Sequence, residues 1–195
     1  VDNTFLSPIL QQPLALGADI VVHSTTKYIN GHSDIIGGAL IANDLAICYE
    51  LKWWGNCLGL TGGALDAYLT LRGLRTLSPR IRLQQENTLA VVDFLAAHPL
   101  VAKVYYPGLP SHPGHEIAKA QQSGFGAMCS FELNAAPEYL HDFFATLTYF
   151  TLAQSLGGTE SLICHPASMT HASMDAAAQQ RAGISATLVR LSVGI

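Results

Sequence analysis

Apolar positions come in short unbroken runs near the start of the chain and in wider-spaced rows further along, and the two spacings predict different elements. Ala18 to Val22 and Ile35 to Ala42 are apolar stretches of strand length. Asn43-Asp44 then offers a cap for a helix running to about Trp54. Thr61-Gly-Gly63 precedes Leu65, Tyr68, Leu69 and Leu71, whose spacing predicts a helix over about 64–77. Ser78-Pro79 reads as a second start, a Ser cap followed by Pro in the first turn, of a long helix that Pro99 stops after about His98. That helix is expected to join two domains, 1–84 and 85–195. Beyond it, strands are predicted over 101–106, 127–133, 150–153, 161–165 and 187–193, and helices near 114–122, 137–146 and 175–181. This order predicts a mixed α/β or α+β architecture with helices against one face of a small sheet. The Pro/Gly-rich stretch 105–115 reads as a loop.

Composition narrows the field. A chain of 195 residues, 49% hydrophobic and only 12% charged, is globular and short of charges to clothe its own surface. Apolar helices with so few charges predict surface covered by other subunits, hence an oligomer. A net charge of −4 leaves no basic stripe for a nucleic acid. No apolar run reaches the ~18 residues of a membrane span, and no signal-peptide pattern is visible. Cys48, Cys57, Cys129 and Cys164 lack paired spacing, so free, mostly buried thiols in a reducing cytoplasm are expected.

Candidate chemistry centres on Lys27. The strand from Ala18 delivers it into Ser24-Thr-Thr-Lys-Tyr-Ile-Asn-Gly-His-Ser-Asp34, where hydroxyls and backbone donors for an anion stand beside an amine able to form a Schiff base. An aldehyde cofactor bearing a phosphate uses both features. The plain alternative is a solvated lysine at a strand end. Asp2, at what reads as another strand end, can hold a pyridine nitrogen; the alternative is a turn or cap aspartate. Arg190, between apolar neighbours on a predicted strand, is costly to bury without an anion, and its fork matches a carboxylate. Its plain reading is an interior arginine paired with an acidic side chain.

Other candidates are weaker. His112 and His115 are spaced like a metal pair but lack further ligands at matching spacing, so no metal is expected. Cys164 and His165 are adjacent on a predicted strand and point to opposite faces, which excludes a nucleophilic dyad. His165 and His171 read as structural or as hydrogen-bonding groups near the site. Trp53-Trp54 reads as packing or interface. Gly37 and Gly38 read as room for close approach.

Val1-Asp-Asn-Thr-Phe5 together with the lysine segment closely resembles the Cys/Met-metabolism family of PLP-dependent enzymes, which carry out trans-sulfuration. The resemblance continues through Leu71-Arg-Gly-Leu-Arg-Thr-Leu77, Gly124-Phe-Gly-Ala-Met128, Ser155-Leu-Gly-Gly158, Ser161-Leu-Ile-Cys-His-Pro-Ala-Ser-Met-Thr-His171 and Val189-Arg-Leu-Ser-Val-Gly-Ile195. It implies the aspartate aminotransferase-like fold (fold type I), pyridoxal 5′-phosphate as cofactor, amino-acid substrates and a homotetramer. It implies that Lys27 carries the cofactor and shuttles protons, that Asp2 faces the pyridine nitrogen, and that Ser24 and Thr26 contact the phosphate. Ser155 and Arg190 are implied to hold the substrate carboxylate. The implied reaction is γ-replacement on an O-acylhomoserine by cysteine or sulfide, with cystathionine as the product in the cysteine case, or alternatively γ- or β-elimination. Gln154 departs from the glutamate that the cystathionine-forming members carry before Ser-Leu-Gly-Gly, and a neutral amide lacks the charge to receive a second amino group. Family members are much longer, so the chain is expected to be a fragment, the end of the cofactor domain (1–84) plus most of the smaller domain (85–195). Alone it is expected to lack the remaining phosphate donors and activity.

Overall fold

The computed structural model describes all residues, 1–195. Its first half is built around the strand leading to Lys27. A short helix, α1 (Ser7–Leu10), and a 3-10 turn at Pro13–Leu16 precede β1 (Ile20–Ser24). A wide helical turn over Thr25–Ile29 follows, then β2 (Gly38–Ala42), which returns antiparallel to β1 with Ser24 opposite Gly38. On β1's other edge Asp2 forms a parallel bridge with Val22. In place of the expected strand ending at Asp2 there is thus a single bridge, and β2 begins three residues later than the apolar run suggests.

Helix α2 (Leu45–Cys57) starts at the Asp44 cap, whose Oδ1 accepts from the Ile47 N–H at 3.0 Å, and runs past the expected end at Trp54. Helix α3 (Ala64–Leu74) follows. The long helix, α4 (Leu77–Ala97), begins one residue before the expected Ser78 cap. Ser78 is therefore not the cap. Leu77 is buried and draws the first helical residue inward, while Pro79 occupies the third position, where no intrahelical N–H bond is needed. The buried residues of α4 are Leu77, Arg80, Ile81, Gln84, Thr88, Val92 and Leu95, a single stripe at helical spacing.

The stripe faces two hydrophobic clusters. Leu77 and Ile81 join Leu10, Tyr28, Ala127 and Leu156 in one. Val92 and Leu95 join Tyr106, Cys129, Phe131, Leu140, Ile163, Val189, Leu191 and Val193 in the other. The second cluster lines a five-stranded sheet of β3 (Val101–Tyr105), β4 (Met128–Leu133), β5 (Thr151–Leu152), β6 (Leu162–Cys164) and β7 (Leu188–Ser192), in the spatial order β3-β4-β7-β6-β5. All its pairs are antiparallel except β5 with β6. Helices α5 (His115–Gln121), α6 (Leu140–Ala145, after a 3-10 turn at Pro137–Tyr139) and α7 (Ala176–Arg181, capped by Asp175) complete the chain. Of the cysteines only Cys129 and Cys164 are buried; Cys57 is exposed, because α2 has no buried residue. No helix is long and apolar enough to cross a membrane.

Candidate active site

Lys27 sits inside the wide turn, its own backbone (φ −93°, ψ −128°) departing from helical values. The Asn30 N–H reaches back five residues to the Thr25 carbonyl at 3.0 Å, and the Gly31 N–H reaches the Lys27 carbonyl at 2.7 Å. The turn thus ends in a left-handed glycine (Gly31, φ 74°). The half-buried Lys27 Nζ donates to the Ser155 Oγ at 3.3 Å across 128 residues of sequence. Arg190, from β7, donates through Nη2 to the carbonyl of Gln154 at 2.7 Å and to that of Ser155 at 3.4 Å. Lys27, Ser155 and Arg190 therefore converge, whereas Arg190 meets no acidic side chain.

Electrostatics follow from this convergence. Burial pushes the Lys27 ammonium below the usual lysine range, and the nearby Arg190 charge pushes it the same way. A lysine held there presents its neutral, nucleophilic form at lower pH than a solvated one.

Asp2 has a different environment. Its carboxylate is exposed, and the Thr4 side chain and the Thr4 N–H, the latter at 2.9 Å from Oδ1, hold it below the usual carboxylate range. Asp2 stays ionised, as the partner of a protonated ring nitrogen must. The Thr4 Oγ1 also accepts from the Ser24 N–H at 2.8 Å, so one threonine links the candidate aspartate to the hydroxyl-rich turn. Nothing in the sequence marked Thr4 out, because its role depends on the parallel bridge that lays Asp2 beside β1.

Ser24 and Thr26 are half-buried. The Thr26 hydroxyl donates to the Gly37 carbonyl at 3.3 Å and accepts the Gly37 N–H at 3.0 Å, bracing the Lys27 turn against β2. A side chain on Gly37 would crowd Thr25 Oγ1 at 2.7 Å, whereas at Gly38 a Cβ meets only ordinary contact. Gly37 thus serves packing, and Gly38 is replaceable on these grounds.

The Ser155–Gly158 loop docks directly on the lysine turn. A Cβ on Gly157 (φ 79°) would stand 2.8 Å from the Tyr28 backbone nitrogen, and the Gly157 N–H donates to Ser192 Oγ at 2.8 Å.

The remaining candidates are engaged elsewhere. His112 Nδ1 accepts the Gly114 N–H at 3.1 Å, and His115 Nδ1 bonds the Pro107 carbonyl at 2.8 Å. No group of three or more His, Cys, Asp or Glu side chains is arranged to hold a metal. His165 lies between Ser168 Oγ at 2.7 Å and the Ala186 carbonyl at 3.0 Å, and burial pushes the Cys164 thiol up. His171 Nδ1 bonds the Thr170 hydroxyl at 2.8 Å. Trp53 and Trp54 meet edge to face and are both exposed.

The amine held toward neutrality, the ionised aspartate beside its strand and the carboxylate-sized arginine fit pyridoxal 5′-phosphate and an amino-acid substrate by their chemistry. Comparison with known proteins agrees. The chain is 60% identical to cystathionine gamma-synthase of Escherichia coli K12 over 195 residues, all of this chain and 50% of that protein. It is 51% identical to cystathionine gamma-lyase of Dictyostelium discoideum, again over all of this chain and 50% of the relative. The solved cystathionine gamma synthase of Xanthomonas oryzae pv. oryzae in complex with cystathionine superposes with a TM-score of 0.97 at 61% identity, covering 100% of this chain and 50% of that one. The chain thus spans about half the length of the relatives it matches. The sequence profile of Cys/Met metabolism PLP-dependent enzymes matches residues 1–195. With that match over its whole length, the chain belongs to the Cys/Met metabolism family of PLP-dependent enzymes.

Proposed function

We propose that the protein containing this chain catalyses γ-replacement on an O-acylated homoserine, with the thiol of cysteine as acceptor and cystathionine as product. The observation that carries the reading is the Lys27 amine within 3.3 Å of Ser155 and beside Arg190, in a chain 60% identical to a cystathionine gamma-synthase. Pyridoxal phosphate supplies the electron sink that stabilises negative charge at the substrate carbons. Lys27 would bear the cofactor, Asp2 would face its ring nitrogen, and Ser24 and Thr26 would take its phosphate.

The substrate carboxylate replaces the Gln154 and Ser155 carbonyls as the partner of Arg190, an exchange of neutral acceptors for a charged one that favours binding. Lys27, already depressed in pKa, would remove the Cα proton and then one Cβ proton before the acyl group leaves, and return protons at Cβ and Cα once the sulfur has added. A C–S bond would form at Cγ where the Cγ–O bond to the acyl group has broken; the acyl group departs as a carboxylate and the thiol gives up its proton to solvent. Residues 1–84 would form the end of the cofactor domain and 85–195 most of the smaller domain, in a homotetramer.

A second reading, elimination to ammonia and a keto acid or replacement by sulfide, is favoured by Gln154, whose neutral amide offers no charge to the amino group of an incoming cysteine. The test is borohydride trapping and peptide mapping of the full-length protein, followed by product analysis with O-acylhomoserines. Trapping on Lys27 and cystathionine formed only when cysteine is present are expected. Keto acid released without a thiol would make the protein a lyase, and absence of trapping on Lys27 would overturn the cofactor assignment.

A further inference from the structure

The polar group that the chemistry above leaves unused is Arg80. It lies in the middle of the buried stripe of α4, only 5% exposed, with no carboxylate in reach. Removing an arginine from water without a counter-ion is costly, and burial duly pushes its pKa down. What compensates is a set of backbone carbonyls. Nη1 donates to the Tyr28 carbonyl at 2.9 Å, and Nη2 donates to Gly73 at 2.9 Å, Ile29 at 3.3 Å and Asn30 at 3.4 Å. Nε donates to Thr76 Oγ1 at 3.1 Å.

These acceptors are not arbitrary. The lysine turn uses the carbonyls of Thr25 and Lys27 for its own closure, and the next three carbonyls, of Tyr28, Ile29 and Asn30, are those Arg80 takes. Gly73 is the end of α3, where the helix dipole is negative. Two glycines make room. A Cβ on Gly31 would overlap the Arg80 guanidinium, and one on Gly73 would overlap the Asn30 carbonyl. Only a planar five-donor fork reaches this set at once; a lysine ammonium has three donors and a single point of origin. One turn further along α4, the Gln84 Nε2 donates to the Gly158 carbonyl at 2.6 Å, so the same helix face also holds the loop bearing Ser155.

We propose that Arg80 is a positioning residue for Lys27: by fixing the three carbonyls that follow the lysine, it sets where the amine stands against Ser155 and Arg190. The proposal rests on the reading of Lys27 as the cofactor-bearing base. The test is Arg80→Lys in the full-length protein, with Thr76→Val as a milder variant that deletes the Nε acceptor together with the Thr76 hydroxyl's own bond to the Gly73 carbonyl at 3.2 Å. Arg80→Lys is expected to lower kcat about ten- to a hundred-fold, since sub-ångström misplacement of a reacting group suffices for such a loss. KM should change less than about three-fold, because the carboxylate grip is untouched. The second readout is the pH midpoint for labelling of the Lys27 amine by an acylating reagent in the cofactor-free protein, which should rise toward the ordinary lysine range as the turn loosens. A purely structural role would lower the melting temperature and leave that midpoint unmoved. An Arg80→Lys protein with wild-type kcat and midpoint overturns the proposal; if that variant does not fold, the same result with Thr76→Val does so. A wild-type protein that fails to trap on Lys27 overturns the reading beneath it, and the positioning role with it.

Discussion

The two ends of α4 face regions that both carry large apolar side chains and differ in how far these are covered. At its C-terminal end, the five-stranded sheet closes on itself: Tyr106, Phe131, Ile163 and Val189 are buried under α4 and α6. At its N-terminal end, α2 has no buried residue and α3 only Gly73, while Leu45, Tyr49, Trp53, Leu65, Tyr68 and Leu71 lie exposed. A groove of about 600 Å³, lined by Val21, Ile29, Ala39, Ile41 and Leu74 and by the buried His23, stays open beside β1. An exposed apolar surface this extensive is what a partner or further chain would bury, so the sheet region is expected to owe its stability to its own residues and the Lys27 region part of its own to such cover.

The largest expected effect lies on the closed side. Phe131, 3% exposed and edge to face with Phe143 at 6.5 Å, fills the centre of the sheet core. Phe131→Ala in the full-length protein should cost about 3–5 kcal/mol of unfolding free energy, measured by denaturant titration. A loss under about 1 kcal/mol would mean that the sheet is not the self-sufficient half.

Next comes the seam between the regions. If Arg190 holds the substrate carboxylate as proposed, Arg190→Gln removes a charge-assisted grip worth about 1.5–3 kcal/mol and should lower kcat/KM accordingly. It also moves Lys27. Burial and the Arg190 charge disfavour the ammonium in the folded chain, so the folded chain binds fewer protons there than the unfolded one and this contribution to stability rises with pH through the interval between the two pKa values. Removing Arg190 narrows that interval, and the Lys27 labelling midpoint must shift upward. A downward shift would show that the two cations do not face each other.

A smaller effect is expected at Tyr106, which is fully buried and donates its hydroxyl to the Gly126 carbonyl at 3.0 Å. Tyr106→Phe keeps the ring and loses one neutral hydrogen bond, about 1 kcal/mol by thermal unfolding. A neutral outcome would assign the residue's worth to its ring alone.

The same contrast explains what the sequence made legible. Helix α4 could be read from the Ser78-Pro79 start and the Pro99 stop that bound it, and the Lys27 strand and turn because an apolar run ends in hydroxyls. Asp44 and Asp175 cap α2 and α7 as side chains that accept locally. Arg80 stayed hidden because its partners are carbonyls about fifty residues away, which carry no side-chain signature. Its one trace is a charge on an otherwise buried stripe. Thr4 was hidden for a similar reason, its hydroxyl meeting a backbone N–H from a neighbouring strand. The start of α4 was misread at Ser78 because the burial of Leu77 outweighed local capping chemistry. The low charge content predicted apolar surface in need of cover, and Trp53-Trp54 read as packing or interface, but which of the two holds on α2 was not legible, since an apolar row looks the same whether or not something covers it.

The smallest effect on stability is expected at Trp53, and it sharpens the comparison most. Its side chain is 59% exposed and stands edge to face with Trp54, at 4.8 Å between ring centres. If the apolar face of α2 were ordinary surface, Trp53→Ser would change unfolding free energy by no more than about 0.5 kcal/mol and leave the molecular mass of the full-length protein in solution unaltered. If the face is covered by a second copy, the same substitution leaves each subunit folded and weakens association, because a buried aromatic at an interface contributes far more than one in water. Sedimentation at falling protein concentration separates the two, with dissociation of the variant at concentrations where the wild type stays assembled as the expected result. An unchanged assembly would move the covering surface elsewhere and leave the open groove beside β1 as the region that needs a partner.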